Sequence, residues 1–458
     1  MTATAIAQAV ASRKLSAVDV VEAVLARIGV RDRVLNAFTD VTAERARAKA
    51  RAIDAAIEAG QNVGPLAGVP FAVKNLFDVQ GLVTRAGAKI NRDDPPALRD
   101  ATLIERMEAA GAVLVGALNM GEYAYDFTGE NIHDGNSCNP HDTSRMTGGS
   151  SGGSGGAVGG RLVPIALGSD TNGSIRVPAS FCGIFGLKPT YGRLSRARSF
   201  PFVASLDHLG PLARSVEDLA LSYDAMQGAD ADDAACTARA IEPVTPLLAQ
   251  GIDGLRIAIA GGHFQQHLFP EAIEAIGRVA KALNATEVIE VPEAARARAA
   301  AYVITTTEGA SLHLDRLRTR AHDFDPAVRD RLIAGAMVPA PLVDRAQKFR
   351  RWYRARVLEL FKHVDVLIAP ATPCVAPKIG QVNFVLDGVE LPVRANIGIH
   401  TQPVSFIGLP VVAVPVPLQP MPIGVQLIAA PWREDIVLRV AHALQEMGVA
   451  AVPEPKGL

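Results

Sequence analysis

Gly148-Gly149-Ser150-Ser151-Gly152-Gly153-Ser154-Gly155-Gly156-Ala157-Val158-Gly159-Gly160 runs almost directly into Leu162-Val163-Pro164-Ile165-Ala166-Leu167. Eight of the first thirteen residues are glycine, a composition that often means a flexible linker. The apolar run that follows argues otherwise, because a tether seldom sits between buried elements. A phosphate-binding loop needs G-x-x-x-x-G-K-[ST], and no lysine follows these glycines. The dinucleotide pattern G-x-G-x-x-G fails as well, since Gly153 and Gly155 would require glycine where Val158 stands. Gly149-Ser150-Ser151-Gly152-Gly153 does satisfy G-x-S-x-G, the elbow of α/β-hydrolases, with Ser151 as nucleophile. Such an elbow follows a strand, whereas Asp142-Thr143-Ser144-Arg145-Met146 reads as polar and turn-like, and no H-G-G element precedes it. A Ser-His-Asp esterase built on Ser151 stays open as an alternative, since several of the 10 histidines lie downstream.

Further along, Gly168-Ser169-Asp170-Thr171-Asn172-Gly173-Ser174-Ile175-Arg176 places a second serine behind a turn-forming Asn-Gly pair. Small residues there let several backbone N–H groups point at one spot beside Ser174, which is what an oxyanion hole requires. The two serines, Ser150 and Ser174, stand 24 positions apart. Gly186-Leu187-Lys188-Pro189-Thr190 follows, and Val69-Pro70-Phe71-Ala72-Val73-Lys74 precedes, a short apolar strand ending in a lysine. Together with Thr401-Gln402-Pro403, Gly408-Leu409-Pro410 and Pro422-Ile423-Gly424-Val425-Gln426-Leu427, these blocks resemble the amidase signature family across most of the chain.

That resemblance implies an α/β fold in one large domain, with a central mixed β-sheet covered by helices on both faces. It also implies a Ser–cis-Ser–Lys triad of Ser174, Ser150 and Lys74. Ser174 would attack an amide carbonyl, and Ser150, following a cis peptide after Gly149, would relay its proton to neutral Lys74. Backbone N–H groups of Thr171, Asn172, Gly173 and Ser174 are the expected oxyanion donors, with Gly149, Ser151, Asp170 and Arg176 as supports of the site. The family most often has glycine at position 172, so Asn172 brings a side chain towards the pocket. The chemistry makes one demand. A free lysine has a pKa of about 10.4, so a base at neutral pH needs a fall of roughly 3 units, or about 4 kcal/mol. The apolar Phe71-Ala72-Val73 lead-in is consistent with the burial that supplies it.

Phe71 to Ile90, Thr319-Arg320-Ala321-His322-Asp323-Phe324-Asp325-Pro326 and the Asp-Thr-Asn-Gly-Ser form of the loop resemble carboxybiuret-hydrolase-like amidohydrolases. The resemblance implies a small, anionic, urea-like amide as substrate and release of ammonia. It also implies, for a partner, a small helical subunit resembling the amidotransferase C subunit. An anionic substrate needs a cation, for which Arg176, Arg318, Arg320 and His400 are the candidates. A glutamine-dependent amidotransferase A subunit is the other open reading, and a non-catalytic scaffold has no support because Lys74, Ser150 and Ser174 are all present.

The rest of the chain sets bounds. Lys plus Arg numbers 46 against 47 Asp plus Glu, a net charge of −1 that argues against a nucleic-acid partner. Hydrophobic residues at 49% and charged residues at 20% are ordinary globular usage. Cys138, Cys182, Cys236 and Cys374 are scattered, so reduced thiols in a cytoplasmic protein are expected rather than a disulfide framework or a zinc site. No metal and no cofactor are expected, and His263 with His267 reads as a solvated surface pair. The prolines between Leu409 and Pro431 rule out a spanning helix there, and an oligomer is expected. Residues 1–64 read as a helical segment, with Ser16 and Asp19 resembling a capping box. About 65–215 read as the catalytic core, about 215–360 as a mainly helical excursion with a strand at Leu255 to Ala260, and about 361–458 as the return to the sheet.

Overall fold

In the computed structural model the structure describes residues 1–456; Gly457 and Leu458, included in the expected 1–458 domain, lie outside the described residues. In chain order the strands are β1 (Phe38–Val41), β2 (Pro70–Lys74), β3 (Val113–Leu118), β4 (Cys138–Asn139), β5 (Asp142–Met146), β6 (Ile165–Asp170), β7 (Phe185–Lys188) and β8 (His208–Ala213). Then come β9 (Ile257–Gly261), β10 (Val288–Glu290), β11 (Val366–Pro370), β12 (Asn383–Leu386), β13 (Val389–Pro392), β14 (Val411–Val416) and β15 (Ile423–Ile428). Eleven of them form one sheet in the order β1-β3-β2-β6-β8-β7-β14-β15-β11-β9-β10, while β4–β5 and β12–β13 form separate hairpins. Pairs β2–β3, β2–β6, β9–β10 and β9–β11 are parallel and the rest of the large sheet is antiparallel, so the sheet is mixed. Strands β2, β3, β6, β7, β8, β11, β14 and β15 are buried along their whole length, as the apolar runs of β2, β3, β11, β14 and β15 lead one to expect.

The α/β expectation holds, and the departures have clear causes. The N-terminal region is helical at Ala3–Ala11, Ala17–Leu35 and Ala43–Glu58, and Ser16 Oγ accepts the Asp19 amide at 2.9 Å as a helix cap. Between the last two helices lies β1, an edge strand whose Phe-Thr-Asp-Val sequence is too short to show a period. The helical excursion carries two strands, β9 and β10, that extend the same sheet beyond β11. Asp142–Met146, expected as a turn, is strand β5, held by the two-stranded hairpin rather than by any apolar face.

The glycine tract also differs from expectation. Only its first residues form a loop, and Gly152–Gly159 is an α-helix buried at every position. Glycine is a poor helix former, by about 1 kcal/mol per residue relative to alanine. Here tertiary packing overrides propensity. A Cβ on Gly153 would lie 2.5 Å from the Ala37 carbonyl oxygen, and one on Gly159 2.9 Å from Pro140 Cγ. The helix approaches its neighbours more closely than any side chain permits.

Candidate active site

Parallel strands β2 and β6 lie side by side, with Val73 opposite Leu167, so both end on the same edge of the sheet. Lys74 closes β2, and Ser169 and Asp170 close β6 ahead of the loop to Ser174. Parallel sheets gather functional groups at the carboxyl ends of their strands in this way. The glycine loop reaches the same place. Gly148 and Gly149 amides donate to the Thr128 and Phe127 carbonyls at 3.1 and 2.8 Å, and Gly121 donates to the Ser150 carbonyl at 3.1 Å. The Gly149–Ser150 peptide is cis. A Cβ on Gly149 would sit 2.5 Å from Asp126 Oδ2, so only glycine fits there.

Lys74 is fully buried, and its Nζ lies 2.6 Å from Ser150 Oγ and 2.8 Å from Ser169 Oγ. Burial lowers its pKa to about 7, against the opposing pull of Asp170, Asp207 and Asp126. A lysine in this state exchanges a proton near neutrality. Ser174, 2% exposed, follows Gly173 on the neighbouring loop and makes no hydrogen bond to Ser150 among the described residues. The lysine–serine half of the expected triad is therefore joined by a hydrogen bond, and the serine–serine half is not.

The backbone N–H groups of Thr171, Asn172, Gly173 and Ser174 donate to no protein acceptor among the described residues. Four consecutive free donors beside a serine are what a developing oxyanion needs. The loop is braced from outside. Thr401 Oγ1 donates to the Asn172 carbonyl at 2.7 Å, and Gly173 takes φ +147°, where a Cβ would meet Thr401 Oγ1 at 2.2 Å. Asn172 Nδ2 donates to Thr305 Oγ1 at 3.0 Å, which ties the loop to the long helix Ala294–Arg320.

Asp170 and Arg176 are both wholly buried and pair in a fork, each contact at 2.9 Å. Burial alone would raise the Asp170 pKa, but Arg176, followed by Lys188 and His208, outweighs it and holds the carboxyl well below its ordinary value. The remaining Arg176 donors go to Gln426 Oε1 at 2.6 Å, the Thr401 carbonyl at 3.2 Å and Ser405. With no donor left over, Arg176 is a support of the loop and not a substrate ligand. The other candidate cations also fall away. Arg318 is exposed beside Asp315, and Arg320 is shared between Asp93 and Asp323. His400 is buried, its Nε2 lies 2.9 Å from the Gln266 carbonyl, and burial lowers its pKa to about 3, so it is neutral.

Sequence reading also passed over Arg331. It lies on the helix Pro326–Ala336, has no carboxylate partner among the described residues, donates to the Ala327 and Tyr125 carbonyls, and stacks 3.8 Å from the Tyr125 ring centroid, with Asp126 near enough to act on its charge. Nothing local in Val328-Arg329-Asp330-Arg331 marks it, because its neighbours come from a loop about 200 residues earlier. Ser169, Asp207 and Thr401 were missed too, although Ser169 stands in the same glycine-bounded stretch as Ser174. A cavity of about 210 Å³ opens beside Ser169 and Thr171, walled by Leu76, Ala124, Phe200 and Phe202.

Ser151 is buried, and its hydroxyl is exchanged with the Ser169 backbone, donating to the carbonyl at 3.2 Å and accepting the amide at 3.3 Å. No histidine is bonded to it among the described residues, so the esterase elbow has no base there. His263 and His267 are not a solvated pair either. His263 is 8% exposed with Nε2 3.1 Å from the Ile399 carbonyl, because the turn carrying it is covered by the 396–401 loop, while His267 lies near Asp387 at the surface. All four cysteines are free. No helix among the described residues is long and apolar enough to cross a membrane.

A mixed α/β sheet whose carboxyl edge holds a neutralisable lysine against a serine defines a class, hydrolases that open C–N amide bonds with a lysine in the place of a histidine base. Residues 19–438 match the family model described as Amidase, and the chain belongs to that family. It is 55% identical to AtzE, a component of the 1-carboxybiuret hydrolase of Pseudomonas sp. (strain ADP), over 97% of this chain and 98% of that protein. It is 39% identical to the A subunit of the glutamyl-tRNA(Gln) amidotransferase of Azotobacter vinelandii, over 97% of each. A solved structure described as a vestigial protein complex bearing on the origins of an s-triazine catabolic enzyme superposes with a TM-score of 0.98 at 55% identity, over 99% of this chain and 100% of that one.

Proposed function

We propose that this amidase hydrolyses a small, anionic, urea-like amide of the carboxybiuret type through an acyl-enzyme on Ser174, releasing ammonia. The observation that carries the mechanism is the fully buried Lys74, hydrogen-bonded to Ser150 and poised near pH 7. Ser174 Oγ attacks the carbonyl carbon as its proton passes to Ser150, and the Ser150 proton passes to Lys74. The carbonyl oxygen gathers negative charge among the N–H groups of residues 171–174. As the tetrahedral adduct collapses, Lys74 returns its proton through Ser150 to the departing nitrogen, and the C–N bond breaks. Water then attacks the acyl carbon by the same route, its proton passing through Ser150 to Lys74 and returning to Ser174 Oγ as the ester bond breaks, which frees the acid and Ser174. The Ser150–Ser174 contact closes when substrate fills the site, as catalytic hydrogen bonds commonly tighten only in the complex.

The 55% identity to a carboxybiuret hydrolase component supports the substrate class, against 39% for the amidotransferase chain. Arg331 supports an anionic substrate, as a half-buried guanidinium without a carboxylate of its own. The relative solved as a protein complex supports a partner chain, which the family resemblance makes a small helical one. Four free cysteines support a cytoplasmic setting.

The test is a panel of biuret, carboxylated ureas, malonamate-type acids, glutamine and aryl amides, read by ammonia with and without the small helical partner. A fluorophosphonate should label Ser174, and Ser174→Ala should abolish both labelling and ammonia release. Arg331→Gln should raise KM for anionic amides at least tenfold and leave neutral amides unchanged. Labelling at Ser151, or preference for glutamine with ATP dependence, would replace this reading by one of its competitors.

A further inference from the structure

One buried carboxylate outside the triad faces the nucleophile loop directly. Thr171 Oγ1 donates to Asp207 Oδ1 at 2.6 Å, and Asp207 Oδ2 accepts the Phe202 and Val203 amides at 2.9 Å each. Asp207 is 9% exposed and lies just ahead of β8, in the wall of the cavity that touches Ser169 and Thr171. Three donors from two separate segments thus converge on its two oxygens.

We propose that Asp207 is a positioning residue, holding Thr171 and through it the run of N–H donors at 171–174 in the orientation that receives the oxyanion. The proposal rests on the reading of Ser174 as nucleophile. Four attachments hold this loop. Asp170 anchors its base through Arg176, Thr401 holds the Asn172 carbonyl, Thr305 holds the Asn172 side chain, and Asp207 holds the Thr171 side chain. Only the last connects the loop to the 199–207 segment that walls the cavity. An ionised carboxylate suits the place because it only accepts; burial raises the Asp207 pKa above the ordinary carboxylate value, while Thr171, the Phe202 and Val203 amides and Arg196 favour the charged form. An asparagine with its oxygen on the two amides would turn its NH2 group to the Thr171 hydroxyl, reversing that hydrogen bond and removing the charge that strengthens all three.

The charge has a second effect. Lys74 is faced by Ser150 and Ser169 as hydrogen-bond partners and by the carboxylates of Asp170, Asp207 and Asp126, which favour its protonated form against the stronger effect of burial. Removing the Asp207 charge therefore makes Lys74 lose its proton more readily. The acid side of the pH–rate profile should move to lower pH, which a simple loss of packing would not cause.

The experiment uses the full chain, with its small helical partner where activity requires it, and reads the rate of fluorophosphonate labelling against pH alongside ammonia release and thermal melting. Thr171→Val removes the hydroxyl at constant shape and should slow labelling about 10- to 100-fold, the scale of a misplaced or lost oxyanion donor. Its kcat should fall while KM stays within about twofold, and Thr171→Ser should restore labelling to within about threefold of the parent. Asp207→Asn should slow labelling and shift the acid limb down in pH, whereas Thr171→Val leaves that limb in place. Wild-type labelling by folded Thr171→Val, or failure of Thr171→Ser to rescue, would overturn the proposal, as would an unshifted acid limb in a folded Asp207→Asn. If Ser174→Ala still becomes labelled, the nucleophile assignment fails instead, and the two failures are told apart.

Discussion

Replacing Lys74 by methionine should abolish hydrolysis and at the same time make the protein more stable at neutral pH. Burial lowers the Lys74 pKa from 10.5 to about 7. The unfolded chain binds the proton over that whole interval and the folded chain does not, so wild-type stability rises with pH from about 7 to about 10.5, at up to about 1.4 kcal/mol per pH unit. Below pH 7 both states are protonated, and the native protein carries the full cost of the buried ammonium, on the order of 5 kcal/mol from the pKa difference. Methionine fills similar space without charge but leaves the hydroxyls of Ser150 and Ser169 without their lysine partner, at about 1 kcal/mol each. The net gain at pH 6–7 is then about 2–3 kcal/mol, shrinking as pH rises and changing sign before about 10.5. Lys188, also buried and lowered to about 7, is present in both proteins and cancels in the difference. Urea unfolding of the two proteins at pH 6, 7, 8 and 9 measures this, beside a pH–rate profile of the parent with its acid limb near 7. A Lys74→Met protein less stable than the parent at pH 6, or a stability difference flat across pH 6–9, would refute the reasoning.

Gly173→Ala should lower kcat by about 100-fold or more, because its Cβ would meet Thr401 Oγ1 at 2.2 Å and turn the N–H donors away; steady-state ammonia release measures it. Arg176→Met leaves the Asp170 carboxylate buried and unpaired and should destabilise by about 3–5 kcal/mol, seen as a lower urea midpoint. The contribution of Asp170 itself, with its pKa depressed, is fully present above the ordinary carboxylate range and should fade as pH drops below about 4, which acid unfolding followed by circular dichroism would show. Ser151→Ala should retain labelling at Ser174 and cost only about 1–2 kcal/mol of stability, since its hydroxyl bonds backbone and not a base.

Strands β2, β3, β14 and β15 were legible because two-sided burial leaves an uninterrupted apolar run such as Phe71-Ala72-Val73. Strand β1 and the helix at 152–159 were not legible. In the first the pattern is four residues long, and in the second packing against Ala37 and Pro140 selects glycine where propensity opposes a helix. The same division runs through the site. Lys74, Ser150 and Ser174 were named in advance through the family resemblance, whose motifs keep their order, and the structure joins the first two by a hydrogen bond. A substrate-binding cation was not, and all four candidates are paired elsewhere, exposed or neutral.

By itself, then, the sequence determined which groups are candidates for the chemistry: a lysine ending an apolar strand, two serines set among glycines, and a loop of small residues whose backbone can turn its donors outward. Tertiary structure decided everything that depends on distance between separate segments. It brought Ser169 to within 2.8 Å of Lys74, Asp207 to Thr171, Thr401 to the Asn172 carbonyl, and Arg331 onto Tyr125. The physical reason is that burial and electrostatic shifts are properties of surroundings. The Lys74 pKa falls to about 7 because burial outweighs the pull of Asp170, Asp207 and Asp126, and no stretch of chain carries that information alone.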